Sequence, residues 1–483
     1  MRAAFLLLSA VLALVIVATA TVIALNRLDE DPADSTHPAM GPTQGATSAA
    51  QDGAGARPAE PGSDASAALV ARGAYLARAG NCAGCHTRQG GTAYAGGRAI
   101  ETPFGAVYAP NLTPHDDAGL GRWTAAEFWR AMHNGRSRDG RLLYPAFPYP
   151  NYSLVTRADT DALFAWLRTL PPAPDATPPH RLRFPYDTQA ALAVWRALYF
   201  RPARFEADPA RDAAWNRGAY LVRGLGHCGA CHDGRNPLGA PRHQDGLGGG
   251  LIPAQNWYAP ALNRRSEAGV AHWDETDVIA LLRTGVSRHG SVLGPMADVV
   301  RNSTQYLDAG DLRAMSVYLR SLTQADADAR EADADAREAD AGAGAPAHGP
   351  DPAPATGSAP GSGPAPGSAP APAASIGARL YDMHCAQCHG DRGEGVAGIY
   401  PRLAGNRSVM HEPPANLVRI VLSGGFAPVT AGNPRPFGMP PFATVLDDAD
   451  LAAVLTHVRT SWGNQARALS AHDINRYRDA VQR

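Results

Sequence analysis

Apolar positions along the chain form one long block and three shorter periodic stretches. The block runs from Ala3 to Leu25, 23 residues without a charge between Arg2 and Arg27. At about 1.5 Å per residue it predicts a helix of about 34 Å, enough for a bilayer core of about 30 Å. It reads as a retained signal-anchor over residues 1–28, with a cleaved signal peptide ending at Ala18-Thr19-Ala20 as the alternative. Both readings export the rest of the chain.

The periodic stretches are Asp159 to Leu170, Asp308 to Leu322 and Asp447 to Ser461. Their apolar residues recur at spacings of three and four, as in Leu163, Trp166, Leu167 and Leu170, which places them on one helix face. The second series is Leu312, Met315, Leu319 and Leu322; the third is Leu451, Val454, Leu455 and Val458. Each stretch begins with acidic residues, favoured by the helix dipole. The segments that precede them also repeat. Arg72-Gly-Ala-Tyr-Leu76 returns as Arg217-Gly-Ala-Tyr-Leu221 and, less closely, as Gly377-Ala-Arg-Leu-Tyr381.

Two segments carry no such pattern. Residues 29–66 are rich in Pro, Gly, Ala, Ser and Thr without an aromatic and read as a flexible stalk. The 51 residues 324–374 hold no Leu, Ile, Val or aromatic residue, beginning with an Ala/Asp repeat and ending Pro/Gly/Ser-rich. They cannot build a core and read as a linker. The expected organisation is therefore three helical domains at 67–172, 211–323 and 375–465. A connector fills 173–210, and residues 466–483 form a tail that is either an amphipathic helix on the membrane or a solvated one.

Composition narrows the function. The 483 residues include 44 basic and 45 acidic side chains, a net charge of −1, which excludes the basic footprint of a nucleic-acid binder. All six cysteines fall in three copies of one pattern, Cys82-Ala-Gly-Cys85-His86, Cys228-Gly-Ala-Cys231-His232 and Cys385-Ala-Gln-Cys388-His389. None is left over for a disulfide framework or a catalytic thiol.

Cys-x-x-Cys-His is the attachment signature of c-type haem. Two sulfurs on one side of a helical turn reach the two vinyl groups of a porphyrin, and the adjacent histidine offers its imidazole to the iron. Zinc is the competing reading, but it needs two further ligands per site and no histidine at that place. The motifs thus predict three covalently bound haem c groups, with His86, His232 and His389 as iron ligands.

A methionine opposite the histidine makes a six-coordinate electron-transfer haem. Met296, in Gly294-Pro295-Met296, and Met439, in Gly438-Met439-Pro440-Pro441, sit in loops ahead of the closing helices and are the expected ligands. The first unit has Tyr144-Pro-Ala-Phe-Pro-Tyr149 there, with Phe147 in the methionine's place. Met132 is its candidate ligand; His133, His115 and an open site are the alternatives.

Three such motifs in this order resemble the triheme cytochrome c subunits of membrane-bound bacterial dehydrogenases. The resemblance is carried by Arg72 to Gly80, Thr102-Pro-Phe-Gly105, Asn111-Leu-Thr-Pro114, Leu143-Tyr-Pro-Ala146, Trp215 to Leu221, Gly226 to His232, Met439-Pro440 and Ser461-Trp-Gly463. It covers residues 68–323 and 375–465. It implies an all-α chain of three class I cytochrome c domains in tandem on the periplasmic side of the cytoplasmic membrane. The implied job is to relay electrons from a partner dehydrogenase of flavin, PQQ or molybdenum type to ubiquinone or a terminal oxidase, without oxidising the organic substrate itself. Two features depart from the family: Phe147, and the long linker, which suggests a third domain that swings between donor and acceptor. A stand-alone membrane-tethered carrier and a haem enzyme with an open first site are the competing functions.

Overall fold

The computed structural model describes residues 2–27, 63–242, 246–252, 255–322 and 375–481. The linker expected at 324–374 and most of the stalk lie outside the described residues. Helices dominate. The first unit is built from a leading helix Ser63–Ala79, a motif turn Cys82–His86, helices Ala125–Asn134 and Tyr149–Tyr152, and a closing helix Arg157–Leu167. The second repeats this order with Ala213–Ala219 continued by a π-helical turn Tyr220–Leu225, then Gly229–His232, Glu275–Thr284, Pro295–Asn302 and Ala309–Arg320. The third has Ile376–His384, Ala386–His389, Ala415–Ser423 and Asp448–Thr460.

The expected all-α character holds for the core but not for the loops. Ala99–Thr102, Gly105–Tyr108 and Arg181–Leu182 form a small antiparallel sheet, and among the described residues three two-stranded ribbons lie elsewhere. Alternation over such short loops is too brief to register as strand in the sequence.

The repeated opening pentapeptide is explained by one helix crossing. Leading and closing helices touch so closely that a Cβ on Gly73 would lie 1.9 Å from the Ala162 carbonyl oxygen. Gly218 stands 2.0 Å from the Ala314 carbonyl oxygen by the same measure, and Gly377 2.2 Å from that of Ala453. Only glycine lets the two backbones meet. Closing helices start on caps, with Thr156, Asp308 and Asp447 each accepting the backbone N–H three residues on.

The arginine and tyrosine of that pentapeptide do a second job. Arg72 donates to Asp159 at 2.7 Å within the first unit, and Arg217 donates to Asp311 at 2.7 Å within the second. The tyrosines cross over: Tyr220 O–H donates to Asp159 at 2.6 Å, and Tyr75 O–H to Asp311 at 2.6 Å. Each carboxylate is thus held by its own unit's arginine and the other unit's phenol. Burial would raise the Asp311 carboxyl, but the Arg217 and Tyr75 hydrogen bonds bring it below the ordinary range. Behind this reciprocal clamp, Leu76, Leu163, Leu221 and Leu312 belong to one continuous core shared by both units.

The third unit has its own core around Tyr381, Leu422, Leu451 and Leu455. The terminal helix Ala471–Val481 packs back into it, with Ile474 fully buried and Arg478 donating to the Leu446 carbonyl. Its apolar side faces this unit's core, unlike a tail lying on a membrane. At the other end, helix Arg2–Arg27 is the one helix among the described residues long and apolar enough to cross a membrane. Its end meets connector helix Gln189–Tyr199: Asn26 donates to the Ala193 carbonyl at 3.0 Å and accepts from Arg196 at 3.1 Å.

Candidate haem-attachment sites

All three motifs sit at the same place, on a helical turn directly after the leading helix. His86 Nδ1 lies 2.8 Å from the Pro110 carbonyl, His232 Nδ1 2.7 Å from that of Pro260 and His389 Nδ1 2.9 Å from that of Pro401. Such a bond fixes the tautomer: Nδ1 carries the proton and Nε2 keeps its lone pair. Burial lowers the affinity of each ring for a second proton, an effect the prolyl carbonyls only partly offset. Each imidazole is therefore a neutral donor at neutral pH.

The backbone around each ring is also triplicated. The histidine carbonyl accepts from Gly96, Gly249 and Gly395 in turn, each at 2.8 Å. All three glycines adopt positive φ, and a Cβ on Gly96 would lie 2.5 Å from the Pro110 carbonyl carbon. The haem motifs by themselves do not single out these glycines and prolines. A signal for them exists: Tyr108-Ala-Pro-Asn-Leu112, Tyr258-Ala-Pro-Ala-Leu262 and Tyr400-Pro-Arg-Leu403 share a Pro-x-Leu that follows each histidine.

The six cysteines are all unpaired. Burial pushes the Cys82 and Cys228 thiols up to about 12 and Cys385 to about 11, each raised further by the second thiol of its motif. Burial thus keeps these thiols neutral, unlike the depressed thiolate of a catalytic cysteine. The described residues contain no group of three His, Cys, Asp or Glu side chains able to hold a metal ion. Cys82 and His86 are hemmed in by protein yet part-exposed, so they line a hollow rather than a packed interior. Neutral sulfur pairs beside a neutral imidazole in a hollow fit haem c. The Cys231 thiol is also close enough to Cys85 to feel its charge, so the first two motifs are neighbours.

Hairpins preceding the methionine loops give the register between units. Leu143 N–H donates to the Gly135 carbonyl at 2.8 Å, and Val292 N–H to the Gly285 carbonyl at 2.8 Å. Counting on from these paired positions sets Phe147 against Met296. Met296 and Met439 are both part-buried at the edges of their cores, and Met439 pairs with Gly425 in a ribbon. Met132 is different. It lies three residues before Gly135, as Leu282 does before Gly285 and Val421 before Gly424, and all three are core residues at 5%, 7% and 7% exposure. His133 is buried and stacked on Trp129 with ring centres 4.4 Å apart. His115 Nδ1 accepts the Ala118 N–H within its own turn.

Comparison with known proteins agrees with this geometry. The sequence profile of the family Cytochrome c matches residues 70–171 and 374–462. The chain is 38% identical over 426 residues to the cytochrome c subunit of the quinone alcohol dehydrogenase of Gluconacetobacter polyoxogenes, covering 86% of this chain and 85% of that one. It is 35% identical over 417 residues to the cytochrome c subunit of the gluconate 2-dehydrogenase of Pantoea cypripedii, covering 84% of this chain and 89% of that one. A diheme cytochrome c-type protein of Cereibacter sphaeroides is 37% identical over 258 residues, 52% of this chain and 85% of that one. The chain belongs to the cytochrome c family, alongside proteins named as cytochrome c subunits of dehydrogenases. Membership implies covalently bound haem c.

Proposed function

We propose that this chain is the electron-transfer subunit of a dehydrogenase complex and carries three haem c groups, one per cytochrome c domain. Cys82 and Cys85, Cys228 and Cys231, and Cys385 and Cys388 form the thioether anchors; His86, His232 and His389 ligate the irons. The observation that carries this reading is the triplicated imidazole, oriented each time by a prolyl carbonyl 2.7–2.9 Å away. Bound haem supplies reversible one-electron chemistry at its iron.

The chain's residues do the rest. The prolyl carbonyls hold the imidazoles in register and increase their donor strength. Met296 and Met439 close the second and third sites. The first two sites share one body, so electrons pass between them without a domain movement. Electrons enter from the partner dehydrogenase, of flavin, PQQ or molybdenum type, and leave to ubiquinone or a terminal oxidase. The apolar helix Arg2–Arg27 spans the cytoplasmic membrane and sets the body on its periplasmic face. Purification of the native complex tests this. A dehydrogenase subunit that co-purifies and reduces the cytochrome on adding its substrate supports it; a cytochrome isolated alone from membranes, reduced by no co-expressed dehydrogenase, favours the stand-alone carrier.

One observation favours a second reading for the first site. Phe147 stands where Met296 stands in the second unit, and Met132 fills a core position. We propose that the chain would offer no methionine to a haem held by Cys82, Cys85 and His86, leaving its iron able to take an external ligand. Carbon monoxide then binds one reduced haem of the three and Met132→Leu leaves the spectrum unchanged; no carbon monoxide binding, with a changed spectrum in Met132→Leu, returns the ligand to Met132.

A further inference from the structure

The third unit is seated on the second through several contacts, among them Arg407 over Trp273, Thr430 donating to the Thr284 carbonyl at 3.4 Å, and a polar cluster around Glu267. Asn416 of the third unit pairs with the backbone of Tyr258, accepting its N–H at 2.8 Å and donating to its carbonyl at 2.7 Å. Arg419 stacks over Trp257, 5.2 Å from the ring centre. His411 Nε2 lies 3.0 Å from Glu267 Oε2, with the two side chains only 11% and 10% exposed. The His411 ring also packs on Tyr258, centres 4.6 Å apart.

Glu267 does not end at this interface. Its Oε2 also accepts the Ala261 N–H at 2.6 Å, and its Oε1 the Arg264 guanidinium at 3.2 Å. The peptide that supplies the Ala261 N–H is the same peptide whose Pro260 carbonyl accepts from His232 Nδ1. A single peptide group therefore separates the iron-binding imidazole of the second site from a carboxylate that the third unit caps. Burial would raise the Glu267 carboxyl, but hydrogen bonds from His411 and the Ala261 amide, with the nearby charges of His411 and Arg264, bring it below the ordinary range. At the first site the corresponding amide, the Asn111 N–H after Pro110, donates at 3.3 Å to the neutral Thr177 hydroxyl instead of to a carboxylate.

We propose that Glu267 is a positioning residue that couples docking of the third unit to the electron-donating strength of His232. In the docked state His411 shares the carboxylate charge. On undocking, Glu267 keeps its full charge and pulls harder on the Ala261 N–H. The Pro260 carbonyl then becomes a better acceptor, His232 gains imidazolate character, and the ferric state of the second haem is favoured. The linker sets the third unit's local concentration, so a modest interface suffices to hold it. The coupling half of this inference rests on the haem reading above; the docking half does not.

The test uses the haem-loaded full chain in detergent, comparing wild type with His411→Ala, Asn416→Ala/Arg419→Ala and Glu267→Gln. Hydrogen exchange reports docking through the Tyr258 amide, which Asn416 covers; we expect about tenfold faster exchange in His411→Ala and in the double variant. A spectroelectrochemical titration reports coupling. One midpoint should fall in His411→Ala and in the double variant and rise in Glu267→Gln, with the other two unmoved. Unchanged exchange at Tyr258 in both undocking variants overturns the docking. Faster exchange with all midpoints unchanged overturns the coupling, while a chain carrying no haem overturns the functional reading instead.

Discussion

Glycine and tyrosine in the opening pentapeptide are fixed by different forces. Gly218 is fixed by space: in Gly218→Ala the better helix propensity of alanine, about 1 kcal/mol, competes with a methyl driven into the Ala314 carbonyl. The clash wins, and a net loss of about 1–2 kcal/mol is expected by denaturant titration of the loaded protein. Tyr220 and Tyr75 are fixed by charge, because each O–H meets a buried carboxylate of the other unit. Asp311 shows how pH enters. Its folded carboxyl is depressed, so the clamp contributes fully above the ordinary carboxylate value and is lost as pH falls through the depressed one. Asp311→Asn, which leaves Arg217 with a neutral partner, should cost about 3 kcal/mol at neutral pH. The variant should also show a shallower stability decline on acidification, read from denaturation midpoints between neutral and acid pH.

On the proposed reading, elements rather than single residues decide which methionine would meet an iron. The helix-to-hairpin corner at Gly135, Gly285 and Gly424 places a buried apolar residue three positions earlier, and Met132 is one of these. Met296, by contrast, is part-buried in the first turn of helix Pro295–Asn302, and Met439 is part-buried in the strand Gly438–Met439, so neither is the loop residue expected from the sequence. Met296→Leu should therefore convert one low-spin haem to a form that binds carbon monoxide, whereas Met132→Leu, a volume-conserving core change, should cost under about 1.5 kcal/mol and leave the visible spectrum as it was. Spacing from His232 and His389 makes Met296 and Met439 candidates, and Met132 is a candidate as the other methionine of the first unit. Helical periodicity does not tell a packed side chain from one facing a cofactor, and the structure places Met132 in the core. The Pro-x-Leu carbonyls are hidden for another reason: a backbone acceptor leaves no side-chain chemistry to notice, and only its repetition betrays it.

At the scale of the whole molecule, the units are not equivalent. The first and second share one core and exchange tyrosines, while the third has a core of its own. The sequence displays three repeats, the third less closely in its opening segment, because motif and helix patterns are local. How repeats pack on each other depends on register between distant segments, such as Tyr75 meeting Asp311, and no local pattern carries that. A long linker suggests a swinging third domain; the Asn416, Arg419 and His411 contacts hold it against the second unit in this conformation. The central claim is that every cysteine pair anchors one haem beside an oriented histidine. Intact mass of the denatured chain tests it most directly, since thioether-bound haem survives unfolding. We predict a mass excess of three haems, falling to two in each of Cys82→Ser/Cys85→Ser, Cys228→Ser/Cys231→Ser and Cys385→Ser/Cys388→Ser. An excess of fewer than three in the unaltered chain, or no loss in any one of the paired variants, contradicts the account.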